Sequence, residues 1–172
     1  MNAVAADKRP VDPYQKALEL LVRREHSRHE LQRKLAERGV EPDQSHAAVD
    51  RLVDSGYQDD ARFARALART RAAAGQGPHR IRAELGTHAL TSEQVTDALE
   101  ACETDWPAAA RKLVARRYAG AKLADPKQRR KAIEFLLRRG FDHASAYAAV
   151  GARQASLQVD AAEEGFAEDE SI

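Results

Sequence analysis

The 172-residue sequence predicts an all-α protein, an elongated array of three tandem three-helix repeats built as helix-turn-helix-like modules. Three observations predict it. The chain is rich in alanine, leucine, glutamate and arginine, residues that lose little on entering a helix, and no useful length alternates apolar with polar. Leu35, Leu85 and Leu136 each stand five residues before an apolar residue, Val40, Leu90 and Phe141, with Val49, Leu99 and Val150 nine residues beyond. Helix-start signals then cut each copy of that pattern into three.

Taken in order, Asp12-Pro13 opens a helix over about 14–24, with a capping oxygen beside a proline suited to the first turn. Ser27-x-x-Glu30 has the form of a capping box for 27–38, and Pro42 starts 42–55. Asp59-Asp60 starts 60–73, Pro78 starts 78–88, and Thr91-x-x-Gln94 is a second capping box, for 91–102. Thr104-Asp105-Trp106-Pro107, Asp125-Pro126 and Asp142 start 106–119, 126–139 and 142–153. Gly39 and Gly140 hold the slot just before the apolar turn residue, where a helix C-terminus favours a residue tolerant of positive φ; Ala89 holds it in the middle copy.

Apolar stripes follow the helical period: Leu18, Leu21 and Val22, then Leu31 and Leu35, then Val49, Leu52 and Val53. One short stripe does not hold a lone helix together in water, so three must pack into each unit and the units must follow in series. The expected organisation is a flexible N-terminus at 1–13, repeats at 14–58, 59–103 and 104–153, and an acidic disordered tail at 154–172.

The formal charge of +1 conceals segregation. Residues 151–172 carry a net −5 and the first 150 residues a net +6. Residues 14–58 balance, 59–103 are at −1, and 104–150 reach +7. On the helix expected at 126–139, Ile133, Leu136 and Leu137 face inward. Lys127, Arg130, Lys131 and Arg138 share another face with only Glu134 among them. Such a ridge suits a phosphate backbone or an acidic protein surface.

Other features are read structurally. Ser55–Ala66, SGYQDDARFARA, is a helix-to-helix joint in which Gly56 ends one helix, the aspartates start the next, and Tyr57 and Phe63 bracket the corner. Ala74–Arg80, AGQGPHR, lacks the Gly-Lys-Ser/Thr ending of a phosphate-binding loop and reads as a flexible joint. His26 and His29 have no third convergent ligand, the single Cys102 reads as core, and Trp106 reads as a packing anchor. There is no catalytic constellation, so no cofactor, no metal and no enzyme activity is expected. Without a membrane-span or signal pattern, a cytoplasmic location is expected.

These residues together resemble the RecX family of recombination regulators. The run Leu21–Leu35 is similar to the family's Arg-rich helix end followed by Ser-Arg, Glu-Leu and Lys-Leu before a glycine. The joint carrying Gly56, Tyr57, Asp59, Asp60 and Phe63 resembles its Gly-Tyr, paired-acid, Phe-Ala signature, and Gly77, Arg80, Ile81, Glu84 and Leu85 match a further segment. Gln58 stands where an aliphatic residue is usual, and Ala89-Leu90 replaces a usual Gly-Ile.

The resemblance implies a non-enzymatic modulator, mainly an inhibitor, of the RecA recombinase. Such a protein would lie in the groove of the RecA filament on single-stranded DNA and suppress ATP turnover, strand exchange and SOS coprotease activity. It would be a monomer with weak non-specific affinity for duplex DNA and no membrane role. Charge pattern and resemblance together make Arg116, Arg117, Lys127, Arg130, Lys131, Arg138 and Arg139, with Arg23, Arg24 and Arg28, the candidate contacts to RecA or DNA. Two other readings stay open: a sequence-specific helix-turn-helix DNA-binding regulator, and a helical scaffold without a nucleic-acid role.

Overall fold

A computed structural model describes residues 12–119 and 123–151. The expected N-terminal segment up to residue 11 and the acidic tail lie outside the described residues. Among the described residues there are nine α-helices and no strand: α1 Pro13–Arg23, α2 Arg28–Ala36, α3 Pro42–Asp54, α4 Asp60–Ala73, α5 Pro78–Gly86, α6 Ser92–Glu100, α7 Trp106–Arg117, α8 Pro126–Arg138 and α9 His143–Ala149. Each matches an expected helix to within four residues at its ends, and α4 coincides with the expected 60–73.

The start signals act as caps. Side-chain oxygens of Asp12, Asp105, Asp125 and Asp142 accept from the N–H groups of Tyr14, Ala108, Lys127 and Ser145, removing orphan donors at four helix starts. Thr91 and Gln94 form the full reciprocal capping box. Ser27 forms only half of one: its hydroxyl accepts from Glu30 N–H at 3.0 Å, while the Glu30 carboxylate is drawn to Arg24 and His26 instead.

The repeated turn slot is left-handed in all three copies, with φ of +78° at Gly39, +87° at Gly140 and +56° at Ala89. The N–H groups of Val40 and Phe141 return to the carbonyls of Leu35 and Leu136 at 3.2 and 3.1 Å, closing the two outer turns. Leu35, Leu85 and Leu136 are wholly buried at the foot of these turns.

The chain divides into two compact units, Met1–Ala68 with Glu84–Ala101, and Arg69–Ala83 with Cys102–Ile172. In the first, α1, α2 and α3 pack on one another around Ala17, Leu31, Leu35, Val40, Val49 and Leu52, with Tyr14, Leu18, Leu20 and Leu21 at the edge. Val22 departs from its expected inward place and is 81% exposed, because the inward positions of α1 are filled by Ala17, Leu18 and Leu21.

In the second unit α7, α8 and α9 surround Ala110, Leu113, Val114, Ala132, Ile133, Leu136, Phe141, Ala146 and Val150. Trp106 sits against this core, edge-on to Phe141 with centroids 6.5 Å apart. The glycine segment before α5 is a packed joint rather than a flexible one. Gly77 is buried, its N–H donates to Arg139 C=O at 2.8 Å, and His79 N–H donates to Gly140 C=O at 3.0 Å. A Cβ at Gly77 would fall 2.3 Å from the Gly140 carbonyl, so backbone meets backbone where no side chain fits.

Candidate functional site

In the first unit the signature joint is a clamp between two turns. Asp59 Oδ1 accepts from Ala61 and Arg62 N–H at 2.8 and 3.0 Å, capping α4, and these bonds, that from Arg62 foremost, hold its carboxyl below the usual carboxylate range. Asp60 Oδ1 accepts from Arg28 N–H at 2.9 Å, reaching the start of α2. Gln58, buried where an aliphatic residue is usual, donates from Nε2 to Asp60 Oδ1 at 2.8 Å and His26 C=O at 3.2 Å. Arg62 pairs with Glu25 and donates to Tyr57 C=O at 2.7 Å. Gly56 turns the chain at φ +73°. Phe63 is buried with its ring centroid 4.7 Å from that of His88. Tyr57 does not bracket the corner as expected: it is 53% exposed, because Gln58 and Phe63 occupy the inward positions.

Beside the clamp lies a buried polar cluster. Glu30, nearly inaccessible, takes both ends of the Arg24 guanidinium, at 2.6 Å on Oε1 and 3.1 Å on Oε2, and the same Oε2 lies 2.9 Å from His26 Nδ1. Burial pushes the His26 pKa below its ordinary value against the pull of Glu30. Burial would raise Glu30, yet the Arg24 and His26 contacts outweigh it and hold the carboxyl low. His88, 3.0 Å from Ser27 Oγ, is also lowered by burial. His26 is buried while His29 is exposed, so the two do not converge. Among the described residues no group of three or more His, Cys, Asp or Glu is arranged to hold a metal, and no helix is long and apolar enough to cross a membrane. Cys102 is half-buried, its thiol pushed up by burial and so less nucleophilic.

Two of the three candidate cations in this unit are engaged locally, Arg24 with Glu30 and Arg28 with Asp50. Arg23 is exposed at the end of α1.

The second unit gathers the others. Lys127, Arg130, Lys131 and Arg138 are all exposed on α8, with Arg138 3.6 Å from Glu134 in a pair open to water at both ends. Exposed pairs of this kind are worth about 0–1 kcal/mol, so Arg138 remains available to a partner. Arg116 and Arg117 close α7 and Arg139 caps α8. With Leu113 and Phe135 they line a pocket of about 360 Å³. The Arg117 and Arg139 guanidinium carbons lie 5.2 and 5.6 Å from the Phe135 ring centroid. Charge counting along the chain flags these arginines; the part of Phe135 in drawing two of them together was missed. Its only sequence signal is an aromatic four residues before an arginine at a helix end.

Models of the RecX family's first, second and third three-helix domains match residues 14–52, 59–99 and 103–150. A protein named regulatory protein RecX from Xanthomonas axonopodis pv. citri (strain 306) is 58% identical over 137 residues, 80% of this chain and 85% of that protein. Another of the same name from Stenotrophomonas maltophilia (strain R551-3) is 55% identical over 130 residues, 76% of this chain and 80% of its own. The crystal structure of RecX from Lactobacillus salivarius superposes with a TM-score of 0.63 at 22% identity, covering 81% of this chain and 92% of that one, a likeness of fold.

Proposed function

This chain belongs to the RecX family, and we propose that it is a non-enzymatic regulator of the RecA recombinase, mainly an inhibitor, working in the cytoplasm in DNA repair and the SOS response. The observation that carries the reading is the match to all three family domains in order, shared with relatives named as regulatory proteins. In this reading the chain binds as a monomer in the groove of the RecA filament on single-stranded DNA. It suppresses ATP turnover, strand exchange and coprotease activity. Repeated contacts with successive protomers raise affinity through effective concentration.

The charge distribution supports a division of labour. The third domain, with exposed Lys127, Arg130, Lys131 and Arg138, faces DNA or acidic filament surface, and the charge-balanced first domain contacts protein. A sequence-specific repressor finds little support, since the first helix-turn-helix is charge-balanced and its Arg24 is held by the buried Glu30.

The test is charge reversal by Lys127→Glu, Arg130→Glu and Arg138→Glu, with RecA ATP hydrolysis on single-stranded DNA as readout. Inhibition by the triple variant should weaken markedly, and inhibition by the parent should weaken with salt as the roughly 10 Å screening length at 0.1 M shortens. Unchanged inhibition by the variant would remove the ridge from the mechanism. Absence of inhibition by the parent would remove the function.

A further inference from the structure

The third domain carries eleven basic side chains and only four acidic ones, three of which serve as helix caps. Asp105, Asp125 and Asp142 cap α7, α8 and α9, and Glu134 lies beside Arg138. Arg116, Arg117 and Arg139 nevertheless converge on one pocket, and none of the three has an ion pair among the described residues. Gathering like charges is unfavourable. Part of the repulsion is offset by the C-terminal ends of α7 and α8, which carry roughly half a negative charge each, and part by the Phe135 ring facing Arg117 and Arg139. Neither neutralises three cations. A concave site with a surplus of guanidinium donors, and no anion paired with them among the described residues, is suited to one further anion.

We propose that Arg116, Arg117 and Arg139, with Phe135 between the latter two, form a phosphate-binding pocket that captures the backbone of single-stranded nucleic acid. The proposal deepens the DNA-facing role given to this domain above and rests on that reading. Guanidinium groups lying over a ring make no hydrogen bond to it and so keep N–H donors for a ligand, and the guanidinium fork fits phosphate oxygens two at a time. A volume of about 360 Å³ lies at the small end of the range for ligand sites, enough for one nucleotide and too small for a helix of a partner protein. The exposed cations of α8 extend the track: Lys127 to Arg138 spans about 17 Å of helix, room for further phosphates on either side of the captured one.

The experiment titrates the full-length protein into a fluorescently labelled oligothymidylate by anisotropy, without RecA, at several salt concentrations. Arg117→Ala/Arg139→Ala should weaken binding roughly tenfold or more, from the loss of two charge-assisted contacts. It should also lower the slope of log affinity against log salt by about 1.4, some 0.7 per phosphate contact on single strands. Arg117→Lys/Arg139→Lys keeps the charge and guards against misfolding: it should retain the slope and lose affinity severalfold, because an ammonium does not fork. Inorganic phosphate and a mononucleotide should compete only weakly, distinguishing a polynucleotide from a free phosphate. Wild-type affinity and slope in the double alanine variant would overturn the pocket, as would an acidic peptide binding there while the oligonucleotide does not. Parallel RecA ATPase assays separate the two failures. A parent that inhibits RecA but binds DNA without these arginines refutes the pocket alone. A parent that binds DNA through them but leaves RecA unaffected refutes the functional reading alone.

Discussion

The turn before Val40, Leu90 and Phe141 recurs three times with one difference in sequence, so the chain contains its own control for a backbone argument. Alanine at φ near +60° costs about 1–2 kcal/mol relative to glycine, while glycine's greater freedom in the unfolded chain returns about 0.4–1 kcal/mol. Gly39→Ala has nothing within 4 Å of the new Cβ, so only the backbone term acts and the loss should be about 0.5–1 kcal/mol. Ala89→Gly relieves the same strain at φ +56° and should stabilise by a similar amount. Gly140→Ala is different. Its Cβ would lie 2.5 Å from Arg80 N and 2.4 Å from Arg80 Cβ, and the hydrogen bonds from Gly77 to Arg139 and His79 to Gly140 hold that backbone in place. Overpacking adds about 1–3 kcal/mol, for a total of about 2–4. In thermal melts this order corresponds to shifts of roughly +2 °C for Ala89→Gly, −2 °C for Gly39→Ala and −5 to −10 °C for Gly140→Ala. Circular dichroism reads the nine helices of the described residues. Emission of Trp106, the single tryptophan, reads the unit containing Gly140 through its contact with Phe141. Equal losses for the two glycine variants, or destabilisation by Ala89→Gly, would refute the reasoning.

Glu30→Gln strips Arg24 and His26 of their shared acid. Because Arg24 is half exposed and can turn to water, the expected loss is about 1–2 kcal/mol in urea unfolding rather than the 3–5 of a fully buried pair, and a loss below 0.3 would show the cluster to be idle. Stability should fall on acidification. Lowered pKa values at His26 and His88 mean that their contribution is complete above the ordinary histidine value of 6.5 and declines as pH falls through the folded values, by at most about 1.4 kcal/mol per pH unit each. Glu30, also lowered, adds a loss below its ordinary 4.5, so a urea midpoint that stays flat or rises between pH 7.5 and 5 contradicts this assignment. Deleting residues 155–172, which remove a net −6, should tighten oligonucleotide binding at low salt and change it little at high salt; equal affinity at both would show that the tail does not shield the basic domain.

The helices were legible because their signals are local: a capping oxygen, a proline in the first turn and a three-to-four-residue apolar stripe lie within one or two turns of one another. What the sequence concealed depends on choices among partners. Glu30 has the spacing of a capping-box acid, but a buried carboxylate gains more from Arg24 than from one more N–H group, and no local rule ranks those options. Val22 and Tyr57 carry apolar side chains at positions whose inward neighbours are already filled. The segment before α5 reads as a loose glycine linker, yet both its glycine at 77 and the one at 140 mark a close approach of backbones more than sixty residues apart in the chain. Glycine signals flexibility and close packing with the same letter.

The same distinction decides which charges belong to function. Arginine dominates the cations of this chain, and most carry no information by their presence alone. Arg24 and Arg62 are consumed by the buried Glu30 and the partly buried Glu25, and removing either would register first as lost stability, whereas the Arg28–Asp50 pair is open to water at both ends. Arg116, Arg117 and Arg139 sit in a domain where three of the four acids are spent on helix starts and the fourth, Glu134, lies beside Arg138, and their removal should relieve repulsion in the isolated protein while weakening its hold on an anion. Opposite signs in stability and affinity are therefore the signature that separates a binding arginine from a structural one here. An Arg117→Ala variant that loses both stability and DNA affinity in step would return that residue to the structural class.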